Sequence, residues 1–185
     1  DEKTNYIAEA RAAYSPSKVT AYTDRYWNSH NSAYPNFENM GGDCANFVSQ
    51  ALRAGGKSMK GTDASNFSNW FCRTNSTNQL SKVSSTWRGA DAFGHYWMAN
   101  AKKYKKFGAS YFSSADKFKT VYNYGSVGDA ISVLNSNGRP YHTLIISYKE
   151  DGKLKFASHT DNHKWKSLYN YIREGGKDPV RIYKM

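Results

Sequence analysis

The apolar residues follow a helical spacing in the first half of the chain and gather into β-branched and aromatic runs in the second half. Residues 4–14 are Ala-rich and show a weak helical pattern. A second helix is predicted to start at Ser15-Pro16, because Ser is a favoured N-cap and Pro fits the first helical position. Residues 28–42 are rich in Asn, Ser, Pro and Gly, which is typical of a loop.

Residues 41–56, GGDCANFVSQALRAGG, carry the most strongly marked helix. Two glycines interrupt the chain before Asp43, which we interpret as a helix N-cap rather than a catalytic group, and Gly55-Gly56 ends the segment. Between these ends, apolar residues recur at i, i+1, i+4 and i+5, on one face of a helix. The pattern predicts an amphipathic helix of about three turns that begins next to Cys44.

The rest of the chain predicts more helix and then a sheet. Residues 57–80 are mostly typical of a loop, and residues 86–107 show a helical pattern. Strands are predicted over 127–134, 141–148 and 153–159, with an edge strand over 179–183. Asp151-Gly152 is a hairpin turn signal between two of these strands. Helices followed by an antiparallel sheet indicate an α+β fold.

Composition supports a single folded domain over residues 1–185. Leu, Ile, Val and Phe number only 28, and the formal net charge is +11, a combination often found in disordered chains. Aromatic residues nevertheless make up 16%, and their large rings fill a core that has few aliphatic side chains. We divide the domain into a helical N-terminal part (1–40), the helix at 41–56 and a sheet region (127–185). No apolar run is long enough to span a membrane.

Cys44 is the candidate nucleophile. A thiol in the first turn of a helix lies near the positive end of the helix dipole, which favours the thiolate, so we expect its pKa to be lower than that of a free cysteine. The unpaired N–H groups of the same turn are suited to stabilising an oxyanion. Cys72 follows Trp70-Phe71 and is interpreted as a small buried hydrophobic residue. No Cys/His spacing matches a zinc module, and we expect neither a metal nor a cofactor.

His142 is the candidate general base, because a cysteine nucleophile needs one and this residue opens a predicted strand. If Asp151-Gly152 is a two-residue turn, His142 lies opposite Asp161, and Leu144 lies opposite His159. These four residues would then share one face of the sheet. His159 and Asp161 are therefore both candidates to orient the imidazole of His142. The other histidines, His30, His95 and His163, are interpreted as structural.

The segment 41–56 resembles the signature of the putative-amidase domain found in secreted and cell-wall proteins of Gram-positive bacteria, in which a GGDC(T/A)NFVSQ helix carries the cysteine. The resemblance extends over most of the chain, and its layout is similar to the CHAP and NlpC-like cysteine peptidoglycan hydrolases. Further segments match in the same order: 34–37, 84–87, 127–131, 141–146, 158–160 and 167–168.

This resemblance implies a papain-like fold with Cys44 as nucleophile and His142 as base. It favours His159 as the third catalytic residue, with Asp161 as the next candidate. The implied activity is hydrolysis of amide bonds through a thioester, with peptidoglycan as the substrate class. We accordingly expect a secreted or cell-wall bacterial protein that acts as a monomer.

Two other functions remain open at this stage. The first is a non-catalytic module with the same fold, which would bind the cell wall through its charge and its exposed aromatic residues. The second is an acyl transferase, because acyl transfer would also pass through a thioester. Lysines flank Tyr104 on both sides, and this run is explained by a solvated surface or by attraction to anionic wall polymers. We expect no nucleic-acid partner, because no nucleic-acid-binding motif is present.

Overall fold

The computed structural model describes residues 14–185. The helix predicted over residues 4–14 lies outside the described residues, apart from Tyr14. The described part forms six α-helices: α1 (Pro16–Tyr26), α2 (Cys44–Ala54), α3 (Ser85–Arg88), α4 (Ala90–Asn100), α5 (Ala115–Tyr124) and α6 (Leu168–Glu174). Short 3₁₀ turns cover Leu80–Lys82 and Ala109–Phe112.

The strands form one antiparallel sheet. They are β1 (Lys103–Phe107), β2 (Ala130–Leu134), β3 (Pro140–Glu150), β4 (Lys153–Ser158), β5 (His163–Ser167) and β6 (Val180–Lys184). Their spatial order is β1-β6-β2-β3-β4-β5, so β1 and β5 are the edges. The α+β fold predicted from the sequence is confirmed.

Helices cover both faces of the sheet. On one face, α2 and α4 pack with α1 over Ala130, Ile145 and Ala157, and this side holds the buried tryptophans. On the other face, α5 and α6 pack over alternate residues of the same strands, including Ile131 and Leu144. All five residues of β2 are therefore buried, as expected for a central strand covered on both sides.

Two predictions about the elements are wrong, and three elements, among them strand β5, were not predicted. The helix predicted over 86–107 ends at Asn100, and residues 103–107 form β1, whose run of Lys and Tyr has no helical period of apolar residues. The strand near 179–183 is β6, which lies between β1 and β2 rather than at an edge. Helices α5 and α6 were not predicted.

The register between β3 and β4 also differs from the prediction. Glu150 pairs with Lys153 as the two-residue turn requires, but the pairing shifts by one residue between Ile146 and Tyr148. Beyond this bulge Ile145 lies opposite Ala157, so continuing the ladder brings Leu144 opposite Ser158 instead of His159. Since a slip of one residue turns side chains to the opposite face, His142 and His159 do not share a face of the sheet.

None of the described helices is long and apolar enough to cross a membrane.

Candidate active site

The N-terminus of α2 is formed by a glycine turn that brings the chain into the helix at Cys44. Gly41 and Gly42 have φ angles of +94° and +112°, a region that residues with a Cβ rarely adopt. A Cβ on Gly42 would also lie 3.3 Å from Thr160 Oγ1. Behind the turn, every residue of α2 from Ala45 to Leu52 is buried, which fixes the direction of the helix and the position of its first residue. The helix predicted over 41–56 is confirmed.

The thiol of Cys44 is partly exposed and lies against Thr143 of β3, the residue that follows His142. Burial raises the pKa of the Cys44 thiol, and hydrogen bonds with Thr143 and with the backbone of Ala45 only partly oppose this effect. The pKa direction is thus opposite to the one expected from the helix dipole alone. Thr143 Oγ1 is buried and has no nitrogen or oxygen partner among residues 14–185, so the thiol is its remaining polar neighbour.

Asp43 occupies the N-cap position of α2, but its side chain makes no capping hydrogen bond. Its Oδ1 instead accepts hydrogen bonds from the backbone N–H of Phe37 at 3.0 Å and from Asn46 Nδ2 at 2.7 Å. The predicted N-cap position is confirmed, but the side chain of Asp43 serves the preceding loop and Asn46 instead of the first turn of the helix. No oxygen of the described residues accepts from the N–H groups of Cys44, Ala45 or Asn46. The Ala45 N–H donates to the Cys44 thiol, so the N–H groups of Cys44 and Asn46 remain available at the start of the helix.

His159 is buried beside α2, away from His142. Its Nδ1 lies 2.7 Å from Asp43 Oδ2, and its Nε2 lies 2.6 Å from the carbonyl oxygen of Tyr26. The ring stacks on Phe47 with centroids 3.9 Å apart and an interplanar angle of 10°. Both ring nitrogens of His159 are therefore engaged with oxygen atoms, one of a side chain and one of the backbone.

His142 is buried at the start of β3, with 8% of its surface exposed. Burial lowers the pKa of its imidazole to about 4, with the nearby Asp161 carboxylate opposing the shift and His163 adding to it. The ring is therefore neutral near pH 7. It forms no hydrogen bond with another described residue, and the ring of Tyr171 lies 6.4 Å away, centroid to centroid. Its unprotonated nitrogen can take up a proton.

Asp161 lies on the exposed turn after β4 and has a φ angle of +80°. Its carboxylate contacts His163 Nε2 at 3.1 Å rather than bonding to His142. The thiol of Cys44 lies against Thr143 on the α2 face of the sheet, whereas His142 pairs with Val133 and lies near Tyr171 on the α6 face. The structure therefore brings Cys44 to the strand of His142 without a contact between the thiol and the imidazole. It joins His159 to Asp43, and it joins neither His159 nor Asp161 to His142 by a hydrogen bond.

His30, Asp43 and His159 offer ligand atoms within 4.8 Å of one another, a spacing that could hold one metal ion. His30 Nδ1 lies 3.6 Å from Asp43 Oδ2, and its Nε2 lies 3.2 Å from Glu38 Oε2. The His159 nitrogens are used by Asp43 and Tyr26, at distances typical of hydrogen bonds. The arrangement fits a hydrogen-bonded network around the Asp43 carboxylate, in which His30 is the outer member.

Sequence reasoning missed Thr143 and the contacts of Asp43. Both residues stand inside matched segments, 141–146 and 41–56, but nothing in their spacing reveals their partners. The partner of Asp43 lies 116 residues away in the chain, so only the fold could show it.

Comparison with known proteins gives two findings. The sequence profile of a family described as "Putative amidase domain" matches residues 13–183. The uncharacterized protein YhbB of Bacillus subtilis (strain 168) is 31% identical over 138 residues, which is 74% of this chain. The aligned part spans only 38% of that relative's length. No solved structure matches the chain.

Proposed function

The chain belongs to the family described by the putative amidase domain, and from this premise we propose that it is a cysteine amidase that cleaves amide bonds in bacterial peptidoglycan. Membership in this family supports the statement that the protein is an enzyme that hydrolyses amides. The cysteine mechanism, the substrate and a papain-like arrangement are our proposals, and the position of Cys44 is the observation that carries them. This thiol opens a helix in which the N–H groups of Cys44 and Asn46 have no acceptor among the described residues, and it lies against Thr143, the residue that follows the buried, neutral His142.

In the first step, Cys44 Sγ attacks the carbonyl carbon of the amide, and the imidazole of His142 turns from its place beside Tyr171 toward the thiol and takes the thiol proton. Since burial raises the pKa of the thiol and lowers that of the imidazole, the resting pair is neutral and the proton moves as the S–C bond forms. The C–N bond then breaks, and His142 gives the proton to the leaving amine. The product of this half-reaction is a thioester on Cys44.

Water completes the cycle. His142 takes a proton from the water molecule, the resulting hydroxide attacks the thioester carbon, and the S–C bond breaks. The acid product leaves, and the proton returns to Cys44. In both half-reactions the negative charge that develops on the carbonyl oxygen is stabilised by the free N–H groups at the start of α2. Asp43 leaves these donors free because its carboxylate is used by Phe37, Asn46 and His159.

Peptidoglycan is proposed as the substrate because the matched segments resemble those of wall-degrading cysteine hydrolases and because the chain carries a net charge of +11. A strongly basic surface favours association with anionic polymers. A secreted or cell-wall location follows from this proposal. YhbB carries no stated activity that would narrow the substrate.

The test is digestion of purified peptidoglycan, with the new termini identified by mass spectrometry. We expect free amino groups and matching new carboxyl groups to appear with the wild-type protein and not with the Cys44→Ala variant. Cys72→Ala is the matched control, since this second free thiol is buried away from the site and its loss should leave digestion intact.

Two alternative functions give different results. A non-catalytic wall-binding module would bind peptidoglycan equally well with either variant and release no termini. An acyl transferase would release product only when an acceptor amine is added, and it would join that amine to the new carboxyl group.

A further inference from the structure

A groove lies at the edge of the sheet beside β5, away from Cys44. Its volume is about 510 Å³, and it runs between the β4–β5 edge and helices α5 and α6. We call it the β5 groove. Its walls include the polar and aromatic residues Lys153, Lys155, Trp165, Lys166, Tyr169 and Asn170.

The rim of the β5 groove is cationic. Lys153 and Lys155 form no ion pair among the described residues, and neither does Lys164 on the edge strand. Lys166 is partly neutralised by Glu174, at 2.9 Å. The groove therefore presents two lysines without a carboxylate partner and no arginine.

Two aromatic side chains, Trp165 and Tyr169, line the β5 groove. Trp165 is 52% exposed, which is unusual for so large an apolar side chain, and Lys164 Nζ lies 4.4 Å above its ring. Tyr169 packs against the buried Phe118, with ring centroids 5.2 Å apart, and lines the same groove. Asn170 adds an exposed amide. Aromatic rings stack on the C–H surfaces of a polymer, an amide bonds to its hydroxyl groups, and ammonium groups pair with its negative charges. The groove therefore suits a polymer that offers all three.

We propose that the β5 groove binds a polymer of sugars or polyols linked by phosphodiester groups. The rings of Trp165 and Tyr169 stack on the carbon-rich units, and Lys153 and Lys155 pair with the phosphates. Lysine binds phosphate as a compact point charge, and a phosphodiester chain places one negative charge on each linkage between its units. This binding does not depend on catalysis at Cys44.

A neighbouring cavity indicates the direction in which a bound polymer would extend from the β5 groove. A second cavity of about 270 Å³ lies next to it and is lined by Asp161, His163 and Tyr171. Lys166 lines both cavities. A chain held by Trp165 would therefore extend along β5 toward the side of the sheet where Tyr171 and His142 lie.

The opposite edge of the sheet provides matched controls. There, β1 also carries a half-exposed aromatic residue, Tyr104, between lysines. Edge strands often carry lysines that prevent edge-to-edge pairing, so charge at an edge is not by itself a binding site. Variants of β1 remove the same charge and the same kind of ring from a strand that does not line the β5 groove.

Binding is measured by isothermal titration calorimetry on the Cys44→Ala protein with a defined oligomer of glycerol phosphate. Dextran, polyglutamate and single-stranded DNA are the comparison polymers. We expect Trp165→Ala to weaken binding of the oligomer about tenfold, and Lys153→Gln with Lys155→Gln about fivefold. Tyr104→Ala and the double variant Lys103→Gln with Lys105→Gln should stay within about twofold of the parent. Circular dichroism and the Tm confirm folding, and Trp165→Phe should restore most of the affinity.

Three results would overturn the proposal. In the first, the oligomer fails to bind. In the second, the β1 variants weaken binding as much as the variants of the β5 groove, which would show that binding depends only on the overall positive charge. In the third, polyglutamate or single-stranded DNA binds as tightly as the oligomer and depends equally on Trp165, which would assign the groove to a different polymer.

Discussion

His159 Nδ1 lies 2.7 Å from Oδ2 of Asp43, the residue immediately before Cys44. This contact ties the end of β4 to the start of α2, and the second ring nitrogen ties both to the C-terminal end of α1 through the Tyr26 carbonyl. The imidazole thus joins three segments that meet around the thiol. We propose that His159 positions Asp43 and the helix start rather than orienting His142, because its ring nitrogens contact Asp43 and the Tyr26 carbonyl.

We predict that His159→Ala lowers the free energy of unfolding by about 3 kcal/mol, because it leaves the buried Asp43 carboxylate without one of its hydrogen-bond partners and opens a cavity beside Phe47. Turnover should fall by about tenfold to 100-fold, since the thiol and the free N–H groups lose their fixed positions. Chemical denaturation and peptidoglycan digestion measure the two effects. Asp161→Ala, at an exposed position, should change stability by less than about 0.5 kcal/mol and turnover only slightly.

A double-mutant cycle isolates the contact itself. Asp43→Asn and His159→Gln should together cost less than the sum of the single effects, with a coupling energy of about 1 kcal/mol or more. Additive effects would show that the two side chains do not stabilise each other.

The stability of the protein should depend on pH through His142. Burial lowers the pKa of its imidazole from 6.5 to about 4 in the folded protein, so the unfolded chain binds the proton more readily between these values. This contribution is fully present above pH 6.5 and is lost as the pH falls toward 4, by about 3 kcal/mol in all. Urea denaturation of the wild type and of His142→Gln at several pH values gives the difference.

The difference between the two proteins should shrink or reverse as the pH falls. His95→Gln, at an exposed histidine on α4, is the control and should follow the wild type throughout. Parallel curves for wild type and His142→Gln would show that His142 is not buried in a neutral state.

The labelling of Cys44 by iodoacetamide should be slow at neutral pH. Burial raises the pKa of this thiol above its ordinary value, so little thiolate is present until the solution is alkaline. Cys72 should also react slowly, because burial raises its pKa to about 11 and leaves only 4% of its surface exposed to the reagent. Mass spectrometry of the labelled peptides follows both sites at once. Rapid labelling of Cys44 at pH 6 would instead indicate a resting thiolate–imidazolium pair.

Thr143→Val separates the chemistry of the thiol from stability. The Thr143 hydroxyl is buried without a nitrogen or oxygen partner among residues 14–185, so its removal should change the free energy of unfolding by less than about 1 kcal/mol. The same hydroxyl lowers the pKa of Cys44, so the variant should label more slowly than the wild type at each pH below the thiol pKa. Unchanged labelling together with a large loss of stability would assign Thr143 a packing role only.

The sequence allowed the helix of Cys44 to be predicted because both of its ends are marked locally, by glycines and by Asp43. The strand of His142 was equally visible from its apolar run. The relation between His142 and His159 was not, because the bulge between Ile146 and Tyr148 leaves no mark in the composition of either strand. A register counted from the turn is correct only as far as the first such irregularity.

The role of His159 could not be predicted for a second reason. The residue was selected for its place at the end of a strand, and its buried position supports its importance. Its partners, Asp43 and the Tyr26 carbonyl, come from segments more than 100 residues away. Helices α5 and α6 were missed because their apolar residues are mostly aromatic and few, so neither stretch shows a sustained helical stripe.

The most direct test of the account is to look for the thioester on Cys44. Wild-type protein and peptidoglycan fragments are mixed, quenched in acid within the first turnover, and digested for tandem mass spectrometry. We predict an added acyl group on the peptide that contains Cys44, and hydroxylamine should remove this group. Where the His142→Ala variant still forms the acyl-enzyme, the acyl group should accumulate, because the attack of water on the thioester also needs this base. Release of new termini with no acyl group on Cys44 at any quench time, or undiminished release by Cys44→Ala, would contradict the proposed mechanism.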